Sequence, residues 1–265
     1  MSEATAASTL PVLGIDIGGS GIKGAPVDLS TGEFAADRLR IDTPAKSTPE
    51  NVADVVAQIV DHFKGQIAAD GPIGVTIPAV VTHGITRSAA NIDKSWINCD
   101  AEQIFEDKLG RDILLVNDAD AAGVAEVQYG AAKGHPGLVV LTTLGTGIGT
   151  AIVYRGVLIP NSELGHIEVD GHDAESKAAS SIKDKEGLSY TEWAKRLQRY
   201  YETLEALLWP DLIVVGGGVS KDSDKFLPLI DINAEMVPAK LRNTAGIVGA
   251  AWLAADRQNN PERPK

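Results

Sequence analysis

Cysteine is all but missing from this chain of 265 residues: Cys99 stands alone, so no internal disulfide can form. No run of Cys and His has structural zinc spacing either. No apolar stretch reaches the ~20 residues of a membrane-spanning helix. The opening Met1–Ser8 lacks the basic start and apolar centre of a signal peptide, and the expectation is a cytoplasmic protein. Basic residues are in deficit: 24 Lys and Arg face 36 Asp and Glu, a formal net charge of -12. Such a surface disfavours non-specific binding to nucleic acid or membrane. It also means that any anionic ligand needs a local pocket of a few cations and backbone amides. Neither a Walker loop nor a dinucleotide-binding glycine fingerprint is present.

What is present is an ordinary globular composition, 44% hydrophobic, with enough apolar material for a real core. Leu10–Ile17 reads as a buried strand, Gly18-Gly19-Ser20-Gly21 as a turn and Ile22–Val27 as the returning strand. Thr48-Pro49-Glu50 opens a helix with apolar residues at helical spacing from Val52 to Ile67. Ile73–Ile77 is the next strand. Asp100 and Gln103 cap a short helix that Gly110 stops, and Ile113–Val116 is a further strand ahead of an alanine-rich helix. In the second half Leu138–Thr143, a glycine turn at 145–149 and Thr150–Tyr154 repeat the strand, hairpin, strand pattern. Ser189 and Glu192 form a capping box for a helix that Pro210 ends, and Leu212–Val215 runs into Gly216-Gly217-Gly218. The ends, including Gln258–Lys265, are expected to be loose. The repeat predicts two α/β lobes facing one another across a cleft, 1–118 and 119–265, with the last helix packing back on the first lobe.

The first hairpin, Asp16-Ile17-Gly18-Gly19-Ser20-Gly21-Ile22-Lys23, suits a phosphate. Its glycines free backbone amides to approach an oxyanion, Ser20 adds a hydroxyl and Lys23 a cation, and Asp16 can orient a magnesium-bound water. A plain tight hairpin with a surface lysine has the same sequence. The second hairpin offers Thr143, Gly145, Thr146 and Gly147 with no cation in its turn, and Gly216, Gly217 and Gly218 permit close approach of a nucleotide or polyphosphate. Asn117-Asp118 ends an apolar strand, the edge where open α/β sheets bind ligands. A carboxylate there can accept a hydroxyl proton during phosphoryl transfer while Asn117 binds a neighbouring hydroxyl; simple capping by Asp118 or Asp120 is the plainer alternative. Glu163 and His166 can hydrogen-bond sugar hydroxyls, and on a strand His166 and Glu168 would share a face. The loop from Asn91 to Trp96 brings a polar side chain and an aromatic that would line a sugar site.

Taken in order, Gly14-Ile15-Asp16-Ile17-Gly18-Gly19-Ser20, Asn117-Asp118-Ala119, Leu144–Gly149, Glu163-Leu164-Gly165-His166 and Gly216-Gly217-Gly218 resemble the ROK family of repressors and sugar kinases. The resemblance runs from about Leu13 to Ala255. It implies an actin-like ATPase fold of duplicated ribonuclease H-like lobes, Mg²⁺, and a catalytic aspartate at Asp118 that also meets the sugar. It implies sugar contacts at Asn117, Glu163 and His166. Most of that family carries a zinc-binding cysteine cluster after Glu-x-Gly-His and then a glutamate that touches sugar. Here Glu168–Glu175 contains no cysteine, so structural zinc is not expected and Glu168 is the candidate for the glutamate. The departure is itself similar to the branch of the family that phosphorylates glucose, and in some members mannose, from inorganic polyphosphate or ATP. The expected state is monomer or homodimer. A DNA-binding repressor is disfavoured because the first strand begins near Leu10. An actin-like ATPase without sugar activity would give Glu163 and His166 nothing to bind, and a catalytically dead sugar binder sits poorly with an intact Asp118.

Overall fold

The protein is described by a computed structural model over residues 10–89 and 92–260. Most of the expected tails, and Asn91 with its expected sugar contact, lie outside the described residues.

The chain opens with the hairpin β1 (Val12–Ile17) and β2 (Ile22–Asp28), and β3 (Glu33–Phe34) and β4 (Leu39–Ile41) both pair with β2. Pro11 has no N–H to give a ladder, and the strand starts at Val12 rather than at Leu10, which is exposed. Helix α1 (Pro49–His62) follows, with Thr48 Oγ1 accepting from Asn51 N. It buries Val52, Val55, Val56, Ile59 and Val60 against the sheet. It stops at His62, short of Ile67, because the chain turns at Gly65, whose φ is +88°; Ile67 is buried from beyond that turn.

Next come β5 (Ile73–Ile77) and a small sheet of β6 (Val81–Thr82), β7 (Ile85–Thr86) and β8 (Cys99–Asp100). Helix α2 (Ala101–Leu109) then leads to β9 (Ile113–Asn117), which runs straight into α3 (Asp118–Gln128).

The second half repeats the pattern with β10 (Leu138–Leu144), β11 (Ile148–Tyr154) and β12 (Val157–Ile159). A small hairpin, β13 (Glu168–Val169) and β14 (His172–Asp173), precedes the short helices α4 (Glu175–Ala178) and α5 (Ser180–Glu186). Helix α6 (Tyr190–Leu208) begins with the predicted Ser189–Glu192 capping box. β15 (Leu212–Gly216), β16 (Glu235–Pro238) and α7 (Ala245–Asn259) complete the chain. Gln258 and Asn259 belong to this last helix rather than to a loose tail.

The larger sheets are ordered β3-β2-β1-β5-β9 and β12-β11-β10-β15-β16. In each, the first strand of a hairpin is central, antiparallel to its partner and parallel to the strand that follows the crossover. This is the duplicated actin-like ATPase fold. Between the two sheets lie α3 and α7. Val127 of α3 packs with β10 and β11 residues, while Ala125 joins Ala25, Val27 and the α7 residues Ile247, Val248 and Ala251. Helix α7 thus returns to the first lobe, where Arg257 pairs with Glu102 at 2.9 Å and with Asp112 at 3.0 Å. No helix among the described residues is long and apolar enough to cross a membrane.

The approach of α7 is unusually close. A Cβ on Gly14 or Gly74 would overlap the carbonyl oxygens of Ile247 and Ala250, and one on Gly249 would overlap that of Ala121. Backbone cannot yield as a side-chain tip can. Gly74→Ala should therefore cost about 1–3 kcal/mol or more, read as a lower urea midpoint. An unchanged midpoint would refute the close packing.

Candidate active site

Parallel pairing of β1 with β5 and of β5 with β9 brings their carboxyl ends to one edge. Asp16 on β1 stands opposite Lys23 on β2 and beside Thr76 on β5. Its carboxylate accepts from Thr76 Oγ1 at 2.9 Å and lies 3.8 Å from Lys23 Nζ. Gly19 and Ser20, in the turn, are exposed, and Gly18 N donates to the carbonyl of Gly21, closing the loop. A second cation, missed in the sequence, joins this hairpin. Arg40 on β4 pairs in register with Lys23, and its Nη2 donates to the Ser20 carbonyl at 2.7 Å. The only signal for it is a three-residue strand, too short to show a period.

Two strands along the same edge, β9 ends at Asn117 and α3 starts at Asp118. Asn117 is the helix cap: its Oδ1 accepts from Ala119 N at 2.8 Å and Asp120 N at 3.1 Å, and its Nδ2 donates to the Ala79 carbonyl at 3.1 Å. Asn117 is the cap residue, and Asp118, at the first helical position, shares the Ala119 amide with it. Asp118 accepts from Ala119 N at 2.8 Å. Burial, then the charges of Asp16 and Glu163, push its carboxyl up to about 6. That coupling places Asp118 within electrostatic reach of Asp16 on the first hairpin and of Glu163.

The second hairpin approaches from the other lobe. A Cβ on Gly149 would sit 3.0 Å from the Ala119 Cβ, so the returning strand passes directly beside Asp118. Thr143 has Gly149 on one side and Gly216 on the other, leaving its hydroxyl without flanking side chains. In the turn, Gly145 N donates to the Gly147 carbonyl at 3.0 Å. Gly217, with a φ of +84°, abuts Leu144 so closely that only a glycine fits there; Gly218 is exposed beyond it.

The residues expected to meet sugar, Glu163 and His166, lie on a loop and a 3-10 turn rather than a strand. His166 ends the turn Leu164–His166, and Glu168 begins β13, so the shared-face expectation fails. His166 Nδ1 lies 2.8 Å from Asp173 Oδ2, and its Nε2 lies 3.9 Å from Glu163 Oε2. The hydrogen bond to Asp173 raises the His166 imidazole, and burial raises the Glu163 carboxyl. Glu168 is exposed and joins this group by no hydrogen bond or ion pair among the described residues. Glu175 is the carboxylate found here instead. Its Oε2 accepts from Ile148 N at 2.9 Å, and its charge is felt by both Glu163 and His166. Trp96 does not line a sugar site: it is fully buried, with Nε1 donating to the Ser47 carbonyl at 2.7 Å.

A strap crosses the cleft beside these groups. Asn161, with a φ of +60°, accepts from Val81 N at 2.9 Å and donates to the Val81 carbonyl at 2.7 Å, imitating a strand partner. Its own N–H donates to Asp120 Oδ2 at 2.7 Å. Asp120 is 1% exposed, and its Oδ1 has no hydrogen-bond partner among the described residues; burial pushes its carboxyl up to about 7.

Residues 12–180 match the ROK family. The chain is 52% identical over 242 residues to a polyphosphate glucokinase of Mycobacterium tuberculosis (strain H37Rv), covering 91% of this chain and 90% of that protein. It is 27% identical over 316 residues to a glucokinase of Streptomyces coelicolor, covering 92% and 97%. Among solved structures, the inorganic polyphosphate/ATP-glucomannokinase from Arthrobacter sp. strain KM superposes with a TM-score of 0.88 at 49% identity, covering 94% of this chain and 100% of that one. A ROK family glucokinase from Streptomyces griseus, in complex with glucose and AMPPNP, shares the fold with a TM-score of 0.79 at 24% identity, covering 93% and 99%.

The raised carboxyls carry a sign for stability. Between pH 4 and 7 the folded protein holds protons on Asp120 and Asp118 that the unfolded chain has released, so stability falls as pH rises through that window. Asp120→Asn should shrink the drop in thermal midpoint between pH 5 and pH 8. An equal drop in both proteins would show that Asp120 does not titrate in this window.

Proposed function

The chain belongs to the ROK family, and from that premise we propose a kinase that transfers a phosphoryl group from inorganic polyphosphate or ATP to the 6-hydroxyl of glucose, and of mannose. The observation that carries the reading is Asp118. It is a desolvated carboxylate at the sheet edge, flanked from one lobe by a cationic glycine hairpin and from the other by a second glycine hairpin. Polyphosphate glucokinase and polyphosphate/ATP-glucomannokinase as relatives support the donor and acceptor classes.

In this mechanism the sugar lies between the lobes, bounded by Asn117, Glu163, His166 and Glu175. The 6-hydroxyl proton passes to Asp118 as its oxygen bonds to the terminal phosphorus. The bridging P–O bond breaks, and its electrons leave with the shortened polyphosphate or ADP. A carboxyl near 6 is ionised at neutral pH yet more basic than an ordinary aspartate, which suits a general base. Lys23, Arg40 and the amides of both hairpins would hold the donor. Among the described residues no three acid, imidazole or thiol side chains stand close enough together to hold a metal ion, so Mg²⁺ would enter with the phosphates rather than sit in a protein cage. Asp16 would hold that ion through water, and the ion would neutralise phosphate charge. Asp173 keeps the His166 ring oriented.

Asp118→Asn should retain fold and glucose binding but lose turnover by roughly 10²–10⁴-fold, with the acid limb of the wild-type kcat/KM profile falling near pH 6. Full turnover in that variant would refute the role. A polyanionic donor should bind more weakly as salt rises, so the polyphosphate KM should climb between low and high ionic strength while the glucose KM stays nearly flat. A polyphosphate KM that ignored salt would count against the donor. ATP and polyphosphate, each assayed with glucose and mannose, test the substrate assignment directly.

A further inference from the structure

We propose that Lys183 and Lys225, held over the ring of Tyr190, form a second cationic step that binds the part of a polyphosphate chain lying beyond its terminal phosphate. The inference rests on the polyphosphate reading above.

Two walls lead outward from the second hairpin. One is α5. Ser180 Oγ and Ser181 N both donate to the Gly145 carbonyl at 3.1 Å, and Ser181 Oγ donates to the Thr146 carbonyl at 2.7 Å. The start of α5 is thus fastened to the turn, and Lys183 follows about 4.5 Å further along the helix axis. The other wall starts at Gly217, pressed against Leu144, and continues through the 3-10 segment Gly218–Lys225. The walls meet again at Tyr190. Lys183 Nζ lies 4.7 Å and Lys225 Nζ 5.4 Å from the centroid of that ring. The ring stacks on Phe226, with centroids 6.1 Å apart and planes at 10°, and Phe226 is fully buried against Trp193. The platform is therefore fixed to the core of the second lobe.

The charges around it are mixed: Lys183, Lys221 and Lys225 stand against Asp184, Asp222 and Asp224. Lys183 pairs with its neighbour Asp184 at 2.8 Å, and that carboxylate is 75% exposed. Lys225 pairs with Asp222 at 2.7 Å, whose charge also reaches Lys183 and Tyr190. Lys221 lies on the same segment. The Lys183 side chain is 15% exposed and that of Lys225 51%, so Lys225 is the more open of the two ammonium groups, and Asp222 between them keeps their mutual repulsion small until a phosphate replaces it. ATP carries its charge on three phosphates and then ends in a neutral nucleoside. Polyphosphate is charged at every unit, so a cationic step past the hairpin favours the long donor selectively.

The test is steady-state kinetics with ATP, tripolyphosphate and long-chain polyphosphate of defined length. Glutamine keeps the stem over the ring and removes the charge. Lys183→Gln combined with Lys225→Gln should raise the long-chain KM roughly five- to twentyfold, the worth of two exposed ion pairs. The kcat/KM for ATP and for tripolyphosphate should stay within about twofold, and the salt dependence of the long-chain KM should flatten. The Arg/Arg variant should keep the low KM, which separates loss of charge from loss of fold. An unchanged long-chain KM in the Gln/Gln variant, or an equal loss with ATP, would overturn the proposal. A wild-type protein that makes no sugar phosphate from polyphosphate would sink the donor assignment itself, before any variant is compared.

Discussion

The structure depends on one crossing, that of α3 and α7 at backbone contact. Gly249 meets the carbonyl of Ala121 with no room for a side chain, and the same helix lies on Gly14 of β1 and Gly74 of β5. Three glycines thus tie the helix that begins with Asp118 to the strand that carries Asp16. The separation of those two carboxylates is set by main chain on main chain, the least compressible contact a protein has. The backs of the two hairpins are referenced to the same crossing, through β1 on one side and through the Gly149–Ala119 contact on the other.

The charge of the cleft follows from that geometry. Acids from three elements converge while the nearby cations, Lys23 and Arg40, stand back at the first hairpin. Burial holds the Asp118 carboxyl up at about 6 and that of Asp120 higher still, at about 7. An acidic protein that handles anions has few side-chain cations to offer; Gly18 N and Gly145 N are spent closing the two turns, so on the proposed reading the donor is left to the remaining amides of the hairpins. The second hairpin has no cation in its turn; its nearest help comes from helices fastened behind it.

Much of this was legible in the chain. Thr48-Pro49, Asp100 with Gln103, Ser189 with Glu192 and the two glycine hairpins act through local hydrogen bonds and backbone freedom, and local causes leave local patterns. What escaped depends on contacts distant in sequence. Arg40 reaches Ser20 because β4 happens to pair beside β2. Glu168 stands exposed at the start of β13, while Glu175 at the start of α4 is tied to Ile148 N, a contact between residues 27 apart that no local pattern shows. Trp96 looked like a sugar platform because an aromatic in a polar loop gives no sign of which way it faces; its N–H found Ser47 and its ring the core. Helix α1 ended early because Gly65 interrupts a periodicity that the apolar residues alone continue to Ile67.

Asn117 carries one more consequence. Its oxygen is committed to two backbone amides and one of its N–H groups to Ala79. A single donor is left over among the described residues, with no acceptor capacity beside it. The ionised side chain that follows it can only accept. On the proposed reading, a hydroxyl arriving at this pair would meet a giver and then a taker, its lone pair and its proton sorted before any bond is broken. Direction, as much as proximity, is written into the first turn of that helix.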